Sequence, residues 1–310
     1  MYSTRADICD NLQAYNINPW FITGFTDAEG SFVIKLTKSN SYKIGWKVEF
    51  VFSIGLHEKD LLLLKAIQSY FGGIGSIITQ EKGASVQFRV SSKEQLAIIF
   101  DHFKNYPLIS QKLADLKLFK SAFDIYMKNG HLTVEGLQEI INIRASLNEG
   151  LSDTLKKSFP NTNPMVRPLA ENVVIPNSDW LAGFTSGEGC FFVNVRKAAS
   201  TKIGFRVDLV FILTQHLRDL ALLESLVSFL DCDSLVKQKN RNWGQYRCEN
   251  FSSIYTQILP LFKEYPILGV KALDFEDWSK VAELVNRKAH LTQEGLAQIR
   301  EIKSRMNKGR

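Results

Sequence analysis

Along "SFVIKLTK", Phe32, Ile34 and Leu36 alternate with Ser31, Val33, Lys35 and Thr37. In "KVEFVFSI", Val48, Phe50, Phe52 and Ile54 alternate with Lys47, Glu49, Val51 and Ser53. A period of two with one apolar set predicts half-buried β-strands. "GSIITQ" and "SVQFRV" read as two further strands around the turn "EKGA". Between the pairs, "EKDLLLLKAIQSYFG" keeps its apolar positions at helical spacing and ends at Gly72. "SKEQLAIIFDHF" and "QKLADLKLFKSAFDIYMK" are helices. "LTVEGLQEIINIRASLN" is a last helix, with Thr133 as its N-cap. A short apolar helix, "WFITGFTDA", precedes them all. The predicted fold class is α+β, in the order αββαββα with extra helices. Helices cover one face of a four-stranded antiparallel sheet, and the other face stays bare and polar.

The same order then recurs at an offset of 159 residues. "SYKIGWKVEFVF" from Ser41 matches "STKIGFRVDLVF" from Ser200. "HEKDLLLL" from His57 matches "HLRDLALL" from His216, and "FKNYP" from Phe103 matches "FKEYP" from Phe262. "HLTVEGLQEI" from His131 matches "HLTQEGLAQI" from His290. The register slips only between about residues 71 and 100. The chain is therefore two copies of one unit, residues 20–151 and 179–310, behind an N-terminal extension, residues 1–19. Residues 152–178 hold Pro160, Pro164, Pro168 and Pro176, which predicts a semi-rigid, extended linker. Two copies point to a pseudo-dimer within one monomeric chain rather than a solenoid. The recurring pairs His57/His216 and His131/His290 read as helix-terminal structure.

Composition adds bounds. Over 310 residues the net charge is +6 and the pI about 9.0, compatible with an anionic partner such as nucleic acid. No apolar run reaches the ~18 residues of a membrane span, and the N-terminus lacks the apolar block of a secretory signal. Cys9, Cys190, Cys232 and Cys248 form no C-x-x-C pair, so neither a zinc site nor a disulfide framework is expected and reduced thiols are the default.

The outward positions of the first unit are Ser31, Lys35, Thr37, Lys47, Glu49, Ser53, Thr79, Gln87 and Arg89. Those of the second are Asn194, Arg196, Arg206, Asp208, Thr214, Lys237, Lys239, Gln245 and Arg247. These are the side chains that read base edges in a major groove. Strands of seven or eight residues span ~25 Å, or about seven base pairs per unit.

"FTDAEGSF" from Phe25 and "FTSGEGCF" from Phe184 repeat one acidic step, Glu29 and Glu188. Gly24 and Ala28, like Gly183 and Gly187, are four apart and share a helix face. Such small residues predict that the two helices pack closely about a pseudo-twofold axis, with both glutamates at C-terminal ends. Helix dipoles concentrate negative charge there, which suits divalent cations. Metals ~4 Å apart between two such acids suit hydrolysis of phosphodiesters, one per strand.

"ITGFTDAEG" and "LAGFTSGEG" resemble the motif that names the LAGLIDADG homing endonucleases, with Glu29 and Glu188 at its metal-binding acid. The resemblance covers the chain after residue 19 and points to the single-chain, two-repeat subgroup of fungal mitochondrial introns. It implies a saddle of two sheets on double-stranded DNA and Mg²⁺-dependent cleavage of a long, asymmetric site. Ca²⁺ is expected to support binding without cleavage. It also implies that the carbonyls of Ala28 and Gly187 join the metal shell. Lys239, then Lys237, is the expected basic residue of the second site, and Lys82 or Arg89 that of the first. The location implied is mitochondrial. Intron RNA is the partner in an alternative reading, a splicing maturase on the same fold.

Overall fold

The computed structural model describes residues 17–79, 84–168, 173–232, 234–237 and 241–307. The opening helix α1 is Pro19–Glu29, followed by strands β1 (Gly30–Lys38) and β2 (Trp46–His57), helix α2 (Leu61–Tyr70), and strands β3 (Ser76–Thr79) and β4 (Ser85–Val90). Helices α3 (Lys93–Asn105), α4 (Lys112–Met127) and α5 (Val134–Ala145) complete the first copy. The sheet is antiparallel in the order β1-β2-β4-β3. Alternation produces the core as expected. Phe32, Phe52 and Phe88 point inward, and Phe32 packs against Phe103 and Phe119 of α3 and α4. Each such buried ring contributes about 1.5–3 kcal/mol.

A second pass gives α6 (Asp153–Ser158), α7 (Ser178–Glu188), β5 (Gly189–Lys197), β6 (Phe205–His216), α8 (Leu220–Leu230), β7 (Ser234–Lys237) and β8 (Trp243–Cys248). A helical stretch from Phe251 to Glu264, α9, widens into a π-segment at Ile254–Ile258. Helices α10 (Val270–Asn286) and α11 (Gln293–Ser304) close the chain's fold. The second sheet has the matching order β5-β6-β8-β7. Its core repeats the first in kind, with Phe191 against Phe262 and Trp278.

Capping explains most boundaries. Thr133 accepts from the Gly136 N–H at 3.1 Å, and Thr292 from Gly295 at 3.0 Å. His57 Nδ1 accepts from the Lys59 N–H at 3.2 Å, and His216 Nδ1 from Arg218 at 3.1 Å. These histidines are turn caps, as the sequence suggests. At the exposed edge of β1, Asn148 donates to the Phe32 carbonyl at 2.9 Å and Arg144 to Ile34 at 3.0 Å, so the edge is closed to further strands. Asn307 does the same at β5, donating to Phe191.

Two features depart from the sequence reading. The stretch after residue 151 is packed rather than extended. Ser152 caps α6, Leu155 joins Ile141 and Leu151, and Phe159 lies 5.1 Å from the Trp46 ring. Arg167 then binds the Asp115 carboxylate at 2.7 Å and the Gln111 carbonyl at 2.8 Å. Proline stops the helix at six residues but leaves apolar side chains that the first unit buries. Cys232 and Cys248 are joined by a disulfide, with Cα atoms 6.2 Å apart, whereas Cys190 is free. The pair escapes spacing rules because the end of α8 meets the end of β8 only in the folded sheet.

Packing divides the chain otherwise than the repeats do. One compact unit holds Glu29–Asn172, and the other joins Trp20–Ala28 to Val173–Arg310. Most of α1 thus belongs with the second copy.

Burial also sets a pH response in the first unit. His102, 7% exposed, takes the Tyr70 hydroxyl hydrogen at 3.0 Å. Burial pushes its pKa down to about 4 and that of Tyr70 up to about 12. The unfolded chain therefore binds this proton first, near pH 6.5, while the folded chain stays neutral. Stability from this group is present above pH 6.5 and lost as pH falls toward 4, at up to about 1.4 kcal/mol per pH unit. Urea midpoints measured from pH 7 to 4.5 will fall less steeply in His102→Phe than in the wild type. Parallel curves would show that His102 does not stay neutral.

Candidate functional site

The second compact unit contains a helix pair whose contact is reciprocal. A Cβ added at Gly24 of α1 would lie 1.9 Å from the Trp180 carbonyl oxygen of α7. One added at Gly183 of α7 would lie 2.1 Å from the Phe21 carbonyl oxygen of α1. Each glycine thus admits the other helix's backbone, as the four-residue spacing of small residues suggests. The Trp180 indole N–H also donates to the Asp27 carboxylate at 2.9 Å, and Asp27 is 2% exposed. The aligned position in α7 is Ser186, whose hydroxyl donates to Ala182 and accepts from the Leu268 N–H.

The two helices end at the two acids. Glu29 is the last residue of α1 and Glu188 the last of α7, and both are half-buried. Ala28 is buried, while Gly187 is half-buried. Around the second acid the backbone already faces a cation. Lys271, at the start of α10, donates from Nζ to the Gly187 carbonyl at 2.7 Å and to Gly189 at 2.6 Å. The chain turns there without room for a side chain, since a Cβ at Gly189 would meet the Thr185 carbonyl oxygen at 2.5 Å.

The donor set fits a hard divalent cation. Among the described residues no three or more His, Cys, Asp and Glu side chains cluster as a metal cage. One carboxylate and one carbonyl per helix end suit Mg²⁺, which keeps waters and takes further oxygens from phosphate. The Lys271 ammonium on the Gly187 carbonyl sits where the helix dipole favours positive charge.

Lys271 is the basic side chain that the structure places on the backbone beside the second acid. Lys239 and Lys82 lie outside the described residues. The backbone of Lys237 is paired with Gly244. Lys271 comes from a helix start rather than a strand, so strand alternation carries no signal for it. A signal existed: Lys112, at the start of α4, stands 159 residues before Lys271.

The open sheet faces carry most of the expected polar residues. In the first unit Glu49 accepts from Lys47 at 3.1 Å, with Lys35 at 4.0 Å. The Lys47 hydrogen bond, helped by the charges of Lys47, Lys35 and Arg89, lowers the Glu49 carboxyl pKa despite partial burial. In the second unit Asp208 sits between Arg196 at 3.0 Å and Arg206 at 2.6 Å. Exposed pairs of this kind add little stability, but they hold two cations per acid in fixed directions. Ser31, Thr37, Gln87 and Arg89 lie on the same face by register, as do Asn194, Thr214, Gln245 and Arg247. Arg247 is paired with Glu249, and Gln245 donates to Thr214 at 3.1 Å.

Two expected positions are corrected. Ser53 has the outward parity but is 3% exposed, because central β2 is flanked there by Ser31 and Arg89. Thr79 is exposed at the strand end but pairs with Val86 on the core parity, and Ile78 takes the outward place beside Gln87. One exposed ring also lies on the open face of β5, Phe192.

The model of the LAGLIDADG endonuclease family matches residues 22–123 and 181–282. A probable intron-encoded endonuclease 2 of Neurospora crassa is 43% identical over 93% of this chain. A probable intron-encoded endonuclease 3 of the same fungus is 38% identical over 96%. The chain spans only 65% and 56% of the lengths of these relatives. The LAGLIDADG homing endonuclease I-SmaMI, solved bound to cleaved DNA, has a TM-score of 0.92 at 44% identity, over 95% of this chain and 98% of its own. I-SmaMI has also been solved on an uncleaved DNA target with calcium ions. A double lysine-to-alanine variant of it replaces two lysines separated by the same interval as Lys112 and Lys271 here.

Proposed function

Because the chain belongs to the LAGLIDADG endonuclease family, we propose that it is a site-specific homing endonuclease that cuts both strands of a long, asymmetric DNA site. The observation that carries this reading is the likeness, over nearly the whole chain, to an endonuclease solved on cleaved DNA. The open sheet faces bind the major groove through Lys35, Lys47, Arg89, Asn194, Arg196, Arg206 and Arg247. Ser31, Thr37 and the acids Glu49 and Asp208 complete these faces.

Glu29 and Glu188, with the carbonyls of Ala28 and Gly187, are the groups that hold Mg²⁺. When bound, the metal supplies an activated water and stabilises the leaving oxygen of each phosphodiester. Lys271 and Lys112 are the basic residues we assign to the two sites in place of Lys239 and Lys237. Lys271, whose ammonium lies on the Gly187 and Gly189 carbonyls, would offset negative charge developing on the phosphate. The kinship, which includes a yeast mitochondrial protein 24% identical over 97% of this chain, supports a mitochondrial location.

The test begins with a randomised pool of duplexes, from which the full chain selects bound sites in Ca²⁺. The selected duplex is then incubated with Mg²⁺, with Ca²⁺ or with EDTA. Both strands will be cut in Mg²⁺ only. A duplex that is bound but stays intact in Mg²⁺ and Mn²⁺ refutes the nuclease reading. Splicing of an intron by the same preparation would then move the assignment to the maturase alternative.

A further inference from the structure

Among the outward positions of both sheets, one row breaks the polar pattern in the same way twice. In the first unit the register runs Gly55, Gln87, Ile78 across β2, β4 and β3. In the second it runs Thr214, Gln245, Val236 across β6, β8 and β7. Each row sets a glutamine on the third strand next to a β-branched aliphatic residue on the edge strand. The repeat offset hides this match, because the register slips in this part of the chain.

An aliphatic residue here needs an explanation. Ile78 is 42% exposed, and it faces away from the core that Ile77 and Phe88 share by register. An edge strand normally discourages association with charge, not with an exposed isoleucine. The glutamines are placed for contact outward. A Cβ added at Gly55 would meet nothing within 4 Å, so the space beside Gln87 is open. In the second row Thr214 accepts one amide hydrogen of Gln245 at 3.1 Å, which orients the carboxamide. Its oxygen and second N–H form the acceptor–donor pair that adenine N6 and N7 require.

Base chemistry then selects the ligand. Guanine is read by Arg or Lys, and cytosine N4 by an acid. Adenine is read by Gln or Asn, and the thymine methyl by an apolar side chain. Cross-strand neighbours stand ~5 Å apart, so glutamine and aliphatic residue reach adjacent groups of one groove. We propose that each row is an A·T reader: Gln87 and Gln245 bind adenine, while Ile78 and Val236 pack on the methyl of a neighbouring thymine. This rests on the DNA-binding reading above and names the specificity of two positions within it.

The experiment uses the full chain and the duplex selected from the randomised pool in Ca²⁺. Each thymine is replaced singly by deoxyuridine, which lacks only the methyl, and each adenine by 7-deazaadenine, which lacks N7. Affinities are measured by titration. One thymine per half-site will show a loss of about fourfold, the worth of one buried methyl. An adenine beside it will show about tenfold. In Ile78→Ser the deoxyuridine penalty will vanish in one half-site only, and in Ile78→Val it will persist. In Gln87→Ala the deazaadenine penalty will vanish in that same half. If every variant keeps the wild-type penalties at every position, the A·T assignment is wrong although DNA binding stands. If no duplex is enriched, the DNA reading itself fails and takes this one with it.

Discussion

Glu188→Gln, and equally Glu29→Gln, will lower double-strand cleavage roughly a thousandfold or more while leaving binding in Ca²⁺ in place. The substitution keeps the side-chain shape and removes one negative charge from the end of a helix. Acids are unfavourable at a helix C-terminus, by about 0.3–1 kcal/mol. The variant should therefore melt at the same temperature as the wild type or slightly above it. That sign separates catalysis from folding: a structural glutamate would lose stability and DNA affinity together. Cleavage assays on the selected duplex, run beside melting curves, read both. Full cleavage by either variant, or lost binding in Ca²⁺, would remove the glutamates from the metal site.

Gly183→Ala and Gly24→Ala will each destabilise the second unit by roughly 3 kcal/mol or more. A methyl at either position overlaps a main-chain carbonyl rather than a mobile side chain, at 2.1 Å for Gly183 and 1.9 Å for Gly24. Overpacking against side chains costs about 1–3 kcal/mol, and two packed helix backbones yield less easily. Separation of the helices would also stretch the 2.9 Å bond from Trp180 to Asp27, leaving a buried carboxylate short of a partner. Such a loss is a large part of the 5–15 kcal/mol that holds a typical domain. Urea unfolding followed through tryptophan fluorescence reports it. A midpoint unchanged in both variants would show that the close approach carries no weight. The double variant should cost less than the sum, since both changes open one interface.

Much of this architecture was written in periodicity. Strict alternation in β1 and β2 fixed their inward faces, and the 159-residue offset doubled the prediction without new assumptions. Small residues four apart, Gly24 with Ala28 and Gly183 with Gly187, anticipated the helix contact. What alternation could not convey was register across strands. β3 is only four residues long and lies where the repeats slip, so Thr79 and Ile78 exchanged places. Ser53 obeyed its parity, but a central strand buries positions that an edge strand would leave open. Lys271 was legible only by pairing it with Lys112. Its partners are backbone carbonyls, which leave no trace in side-chain patterns. Asp27 was silent for a related reason, because the repeat offers Ser186 in its place and pattern matching discounts a position that differs.

The membership of Trp20–Ala28 in the second unit has a consequence for how the chain is made. This helix is synthesised well before its partner Trp180, which lies some 150 residues behind it. At 5–20 residues per second, the segment waits about 10–30 s before its partner is synthesised. Through that interval Phe21, Ile22 and Phe25, all buried in the finished protein, have no partner surface from their own unit. The growing chain thus carries an unfinished seam throughout the synthesis of the first copy. The acidic step that α1 ends on can be set in place only after α7 has been made.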